Sequence, residues 1–373
     1  MDFMTLQPYT APSWAKNLHP VPKTRFRLGI LPTPIHRWHV TLPAGCKDCE
    51  IWIKRDDLTG MSLSGNKVRK LEFLLAEAKE QGHDSVITIG GLQSNHCRAT
   101  AVASRYVGLA CHLLLRTSRL LVDEDPGIQG NLLVERMAGA SLHMVTKEEY
   151  ASSGSLQLGQ QLLQQLRAQG KNPYLIPVGG SNALGTWGYV EAVEEMLQQS
   201  KAMGVGFSDV VMACGSGGTT AGVALGNSLS GMGARVHGFG VCDDPDYFYT
   251  HMNGILSEMG AFSGGGESPP DSRQLVTVSD VKGQGYAAST AQELGTVQAI
   301  ASSTGIILDP VYAGKAMHGL LQQMQEQPEV WSGRRVLFLH TGGLLGMWAQ
   351  ESQLLPLLKA LGGPVSRMNV APL

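Results

Sequence analysis

The sequence predicts an α/β protein of two domains, each built on a mainly parallel sheet covered by helices. Three observations carry this. Short apolar runs alternate with segments of helical periodicity, the alternation comes in two successive series, and 373 residues suit two domains. Hydrophobic residues make up 43% and charged residues 16%, as in folded globular chains. A net charge of −2 gives no basic surface for nucleic acid or anionic membrane.

The first forty residues are rich in proline and read as an extended arm. Glu50–Lys54 alternates as a strand. Asn66–Gln81 repeats its apolar positions at helical spacing, and Gly82 fits the stop. Strands follow at 85–89, 110–115, 141–145 and 174–177, separated by helices at 96–107, 130–138 and about 146–166. The second series runs helix 185–201, strand 209–213, helix 219–229 and strand 236–241. Helices 288–302 and 314–325 and strand 336–340 close it. Ser263–Ser272 (SGGGESPPDS) reads as a surface loop.

Six cysteines are scattered. Cys46 and Cys49 form a C-x-x-C pair without the second pair a structural zinc site needs, so no metal is expected, and the others read as small buried residues of a reduced compartment. No apolar run reaches the roughly 18 residues of a membrane helix, and the N-terminus lacks a secretory pattern. The chain is expected to be soluble and intracellular: cytoplasmic as it stands, or in an organelle if a transit peptide was trimmed.

Ligands of parallel sheets bind beyond the carboxyl ends of strands, so the segments just after strands hold the candidates. Lys67 opens an amphipathic helix behind a glycine turn in Ser64-Gly65-Asn66-Lys67-Val68-Arg69-Lys70. A buried lysine loses its proton more readily and can form a Schiff base with an aldehyde. Taken alone, a solvated first-turn lysine is the better reading of Lys67, but a cation is electrostatically misplaced at a helix start, which hints that it faces a ligand, whereas Arg69 and Lys70 read as surface residues. Gly90-Gly91-Leu92-Gln93-Ser94-Asn95-His96 follows a strand and exposes backbone N–H groups to an anion such as a carboxylate. The plain alternative there is capping by Ser94 or Asn95.

Gly215-Ser216-Gly217-Gly218-Thr219-Thr220 joins a strand to a helix and fits a phosphate cradle. A dinucleotide fingerprint needs glycine where Thr220 stands, and the Walker lysine is missing, so a monophosphate fits better. A nicotinamide oxidoreductase using this loop with Asp243 or Asp244 is one rival reading. A non-catalytic ligand-binding protein is another. Tyr286, Tyr312 and Thr341 each sit in a loop segment: GQGY, LDPVYAGKA and HTGG.

Taken in this order, SGNKVRK, GGLQSNH, GSGGTTAG, GQGY, LDPVYAGKA and HTGG resemble the fold type II (tryptophan synthase beta-like) enzymes of pyridoxal 5'-phosphate (PLP). Within them they resemble the D-cysteine desulfhydrase and 1-aminocyclopropane-1-carboxylate (ACC) deaminase family, from about Pro32 to Gly346. The resemblance implies PLP as the cofactor, held as a Schiff base on Lys67, which also moves protons at the substrate. It places Asn95 on the cofactor's 3′ oxygen, Gly215, Ser216, Gly217, Gly218, Thr219 and Thr220 on its phosphate, and Thr341 on the pyridine nitrogen. Asn66 supports the Lys67 turn. Ser94, Asn95 and His96 hold the substrate carboxylate, with Ser94 also a catalytic candidate. Tyr286 and Tyr312 face the substrate, Tyr312 as an acid or base.

In the deaminases, Glu and Leu occupy the positions of Ala313 and Thr341. The desulfhydrases carry a small residue and Thr, so Thr341 sides with them, while alanine at 313 departs from both usual choices but still lacks the carboxylate. The implied reaction is α,β-elimination on D-cysteine to pyruvate, ammonia and hydrogen sulfide, with ACC deamination or another amino-acid lyase reaction as the alternative. The resemblance also implies a homodimer, with residues 1–67 and 179–373 as the large PLP-binding domain and 68–178 as the small one.

Overall fold

The computed structural model describes residues 3–261, 270–361 and 367–368. A six-stranded sheet has the order Thr277–Asp280, Arg235–Gly240, Asp209–Cys214, Arg335–Leu339, Glu50–Lys54, Ile35–Arg37. The first five strands are parallel, and Ile35–Arg37 closes one edge antiparallel to Glu50–Lys54. A four-stranded sheet, all parallel, has the order Ser141–Thr146, Ala110–Thr117, Ser85–Gly91, Pro173–Leu175.

Both sheets are covered on both faces, which is why their strands are apolar at successive positions rather than alternate ones. Val210, Met212 and Leu337 pack with Trp187, Tyr189 and Val223 on one side of the large sheet. Val211, Phe338 and Ile53 face the other side, against Met317 and Leu320. In the small sheet Val86 and Leu113 meet Leu71 and Ala99, while Ile87 and Leu114 meet Leu158 and Leu162.

The predicted elements all form, with ends shifted by a few residues. Helices Lys67–Glu80, Asn95–Tyr106, Ala183–Met203, Gly218–Ser230, Ala291–Thr304 and Ala313–Glu326 correspond to the predicted ones. The proline-rich start is not a simple arm. Leu6–Pro8 pairs antiparallel with Thr24–Phe26, and Tyr9 packs edge-on against Phe73. The expected loop Ser263–Ser272 lies mostly outside the described residues, and Ser272 itself begins a short helix capped by Asp271. Among the unanticipated elements are helix Pro245–Glu258, capped by Asp244, and strand Thr277–Asp280.

Arg69 and Lys70 are corrected outright: each is only 1% exposed. Helix Lys67–Glu80 is enclosed on several sides, so its polar residues must be paired internally. Arg69 makes a fork to Asp56 at 2.8 and 2.9 Å and reaches Glu195 at 2.9 Å. Glu195 also pairs with the buried Lys54, and Tyr189 donates its hydroxyl to Asp56 at 2.6 Å. Burial pushes the Asp56 carboxyl up, but Arg69, Lys54 and the hydrogen bonds outweigh it and hold it at about 2.

Candidate active site

A cavity of about 550 Å³ opens where carboxyl ends of strands from both sheets converge. Four loops predicted from sequence line it: the Lys67 turn, Gly90–His96, Gly215–Thr220 and the segment at Thr341. Tyr286 and Tyr312 complete the wall.

The Lys67 turn is fixed against Thr341. Asn66 donates its backbone N–H to the Thr341 carbonyl at 3.1 Å. Gly65 has a φ of +106°, and a side chain there would come within 2.7 Å of that same carbonyl, so glycine is required. Lys67 Nζ donates to Asn66 Oδ1 at 2.9 Å, and Asn66 Nδ2 donates to Thr219 Oγ1 at 3.0 Å. Burial, reinforced by the Arg98 charge, lowers the Lys67 amine to about 8. A larger share of it is therefore neutral and nucleophilic near pH 7 than in a free lysine.

Ser94 caps helix Asn95–Tyr106 by accepting the Cys97 N–H at 3.2 Å, leaving its own proton for the cavity. The capping reading of this serine is thus correct, and it leaves the first N–H groups of the helix facing an anion site. Asn95 Oδ1 accepts from Asn131 Nδ2 at 3.0 Å, which leaves the Asn95 amide free to donate. His96 Nε2 is paired with Thr88 Oγ1 at 2.9 Å, and burial lowers its pKa well below the usual histidine range, so it is neutral.

Gly215, Ser216, Gly217, Thr219 and Thr220 line the cavity, whereas Gly218 sits behind its wall with its N–H on Ser181 Oγ at 3.3 Å. Lys70, read as a surface residue, lies beneath this loop. Its Nζ donates to Gly179 O and Ser181 Oγ, both at 3.1 Å, and would stand 2.9 Å from a side chain on Gly218. Burial, with Lys67 adding repulsion, lowers this amine well below the usual lysine range. Thr220 Oγ1 is buried with no hydrogen-bond partner among the described residues. A helix start, a buried amine and an unpartnered buried hydroxyl converge on this loop, a donor set that fits a bound phosphate.

The hydroxyls of Tyr286 and Tyr312 are 2.8 Å apart. Burial raises both phenols, and Tyr312 is raised further by its partner. Asp309 accepts the N–H groups of Val311, Tyr312 and Ala313 at 2.9–3.0 Å and so orients Tyr312. Ala313 is buried behind the wall, and Thr341 lines it. Sequence reasoning missed Lys70, Ser181, Asn131 and Arg116. Only Ser181 carried a local signal, in the turn Gly179-Gly180-Ser181-Asn182 after a strand. Asp243 lines the cavity, whereas Asp244 caps a helix.

Fold type II PLP-dependent enzymes share this architecture, and the comparisons bear out the resemblance. The chain belongs to the family described as pyridoxal-phosphate dependent enzyme, whose model matches residues 26–342. Within it the chain falls in the lyase group that includes D-cysteine desulfhydrase and ACC deaminase. It is 55% identical to the bifunctional D-cysteine desulfhydrase/1-aminocyclopropane-1-carboxylate deaminase, mitochondrial, of Arabidopsis thaliana, covering 99% of this chain and 90% of that one. It is 38% identical to the D-cysteine desulfhydrase of Serratia proteamaculans (strain 568), over 82% and 89% of the two chains. The solved structure of an ACC deaminase homologue superposes with a TM-score of 0.75 at 31% identity, covering 94% of this chain and all of that one. Among the described residues, no helix is long and apolar enough to cross a membrane.

Proposed function

We propose that this enzyme catalyses α,β-elimination on D-cysteine, giving pyruvate, ammonia and hydrogen sulfide. The observation that carries the proposal is the threonine at 341, in the cavity wall, together with a buried alanine at 313. Neither supplies a carboxylate to hold a pyridine nitrogen protonated. Loss of a thiolate, a ready leaving group, asks less of that weaker electron sink than opening a cyclopropane ring.

Lys67 would hold the PLP aldehyde carbon, the loop 215–220 with Lys70 its phosphate, Asn95 its 3′ oxygen and Thr341 its ring nitrogen. Bound PLP would draw electrons from the substrate Cα and make its proton removable. Helix-start N–H groups at Asn95 and His96, with the Ser94 hydroxyl, would fix the substrate carboxylate. Lys67 Nζ, held on Asn66 at 2.9 Å, would take the Cα proton. The Tyr312 phenol keeps its proton, so its role would be that of an acid delivering a proton to the departing sulfur, with Tyr286 as its hydrogen-bond partner. The released 2-aminoacrylate would then hydrolyse in water.

The same reading divides residues 1–67 and 179–373 from 68–178, because the strands of the larger and smaller sheets fall in those two groups. The six free cysteines suit a reducing intracellular compartment. The homodimer remains an inference from the resemblance, checked by light scattering. The experiment for the reaction is an absorbance spectrum of the purified protein before and after D-cysteine, with sulfide and pyruvate assayed and L-cysteine alongside. A near-visible band that changes, with both products formed, supports the proposal. A band with no sulfide would move the assignment to another amino acid, ACC first.

A further inference from the structure

Beyond the tyrosine pair lies a second chamber of about 320 Å³. It shares Gly91, Asn95, Arg116, Tyr286 and Tyr312 with the main cavity, so the two adjoin along that wall. Its volume suits a short side chain or a small organic group.

Arg116, near the carboxyl end of strand Ala110–Thr117, lines both chambers. Its guanidinium lies over the Tyr150 ring, 4.6 Å from the centroid, and has no hydrogen-bond or ion-pair partner among the described residues. Lys147 adds a second cation to the outer chamber. The carboxylates near these cations are committed elsewhere. Asp309 lines the outer chamber but accepts three backbone N–H groups, and Asp243 lines the inner one and accepts the Cys242 thiol at 3.1 Å. An arginine seated over an aromatic ring with its donors unpaired is a ready site for a carboxylate.

The substrate's own α-carboxylate is already provided for at Ser94–His96. We propose that the outer chamber with Arg116 is a subsite for a second, distal anionic group, so that the enzyme accepts cysteine S-conjugates whose leaving thiol ends in a carboxylate. This rests on the elimination reading above. For S-carboxymethyl-D-cysteine the Cβ–S bond breaks with its electron pair on sulfur, the Cα proton goes to the enzyme base, and the sulfur gains a proton. With one water, the products are thioglycolate, pyruvate and ammonia.

The test compares S-carboxymethyl-D-cysteine with its neutral amide, S-carbamoylmethyl-D-cysteine, in the holoenzyme and in Arg116→Gln and Arg116→Lys. The expected acid-to-amide ratio of kcat/KM is about tenfold or more in the wild type, as a charge-assisted pair supplies. It falls to near one in Arg116→Gln and is partly kept in Arg116→Lys. Because the ratio is taken within each protein, a general loss of activity cancels. Calorimetric titration gives the same ratio as binding constants if neither compound turns over. A wild-type ratio near one in both measurements, or one that Arg116→Gln leaves unchanged, overturns the subsite. D-cysteine turnover is measured separately, so a failure of the elimination reading shows as missing sulfide whatever the ratio.

Discussion

Asn131 donates its side-chain amide to Asn95 Oδ1 at 3.0 Å, and in doing so decides which end of Asn95 faces the cavity. Asn131 is itself fully buried, with Nδ2 also on Gln93 O at 2.9 Å and Oδ1 near Arg98 Nε at 3.3 Å. Arg98 in turn donates to the carbonyls of Ser62 and Ser64, ahead of Lys67. One network thus ties the Lys67 turn to the Gly90–His96 loop. Asn131→Ala should cost about 1–3 kcal/mol, since it strands buried polar partners. It should also shift the absorbance of bound PLP, because Asn95 can turn its oxygen inward. An unshifted spectrum at full activity would remove Asn131 from the site.

Lys67 at about 8 makes cofactor capture pH-dependent. The neutral amine is the nucleophile, so its share grows as pH rises through 8 and then saturates. At pH 7 about a tenth is neutral, against well under a hundredth for an ordinary lysine. The reconstitution rate of cofactor-free protein with PLP should therefore rise to a plateau near pH 9. A rate still climbing in proportion to hydroxide at pH 10 would refute the lowered amine. Lys67→Ala should lose both the band and turnover.

Lys70 places a buried amine beneath the phosphate loop. Its folded pKa lies below the unfolded value, so between them the unfolded chain binds more protons and stability rises with pH. A bound phosphate should flatten that slope by making the charged amine favourable. Thermal melts of the PLP-free protein with and without inorganic phosphate check this. Lys70→Met should weaken PLP binding by about 10–100-fold and lose most of the phosphate-dependent stabilisation.

Arg69 and Asp56 form a buried pair whose loss is expensive. Arg69→Met should cost about 3–5 kcal/mol by leaving carboxylates uncompensated. Asp56 has its folded pKa depressed to about 2. Its stabilisation, about 2 kcal/mol, is complete above the unfolded value near 4 and is lost as pH falls through 2. Urea melts between pH 2 and 5 measure it, and a stability independent of pH across that window would contradict the pairing.

Ala313→Glu with Thr341→Leu would convert this wall to the deaminase pattern. The buried position of Ala313 makes the added carboxylate costly unless a cationic ring nitrogen pairs with it. Sulfide release from D-cysteine should fall by at least tenfold, and a PLP-free form should melt lower than the loaded one by more than in the wild type. Unchanged sulfide release would refute the role assigned to these two positions.

Most of the strand and helix order was legible because strands buried on both faces are apolar throughout and helices repeat at another period. Helix Pro245–Glu258 escaped although Asp244 and Pro245 mark a helix start, because the same acidic pair also suits a nicotinamide-binding reading of the glycine loop. The site residues gathered at one cavity are those carried on glycine-rich turns after strands. Their chemistry is local, since a turn's backbone conformation and its N–H groups are set by a few adjacent residues.

The sequence by itself determined the α/β class, the lysine at the head of its helix, the phosphate loop and the family. It did not determine which charged side chains are inside. Arg69 and Lys70 have the local pattern of a solvated helix face, and only Asp56 with Glu195, and Gly179 with Ser181, make their burial tolerable. Asn131 and Arg116 acquire their places only when separate segments meet at the cavity. Burial of a charge depends on partners distant in the chain, so tertiary packing alone decided those positions.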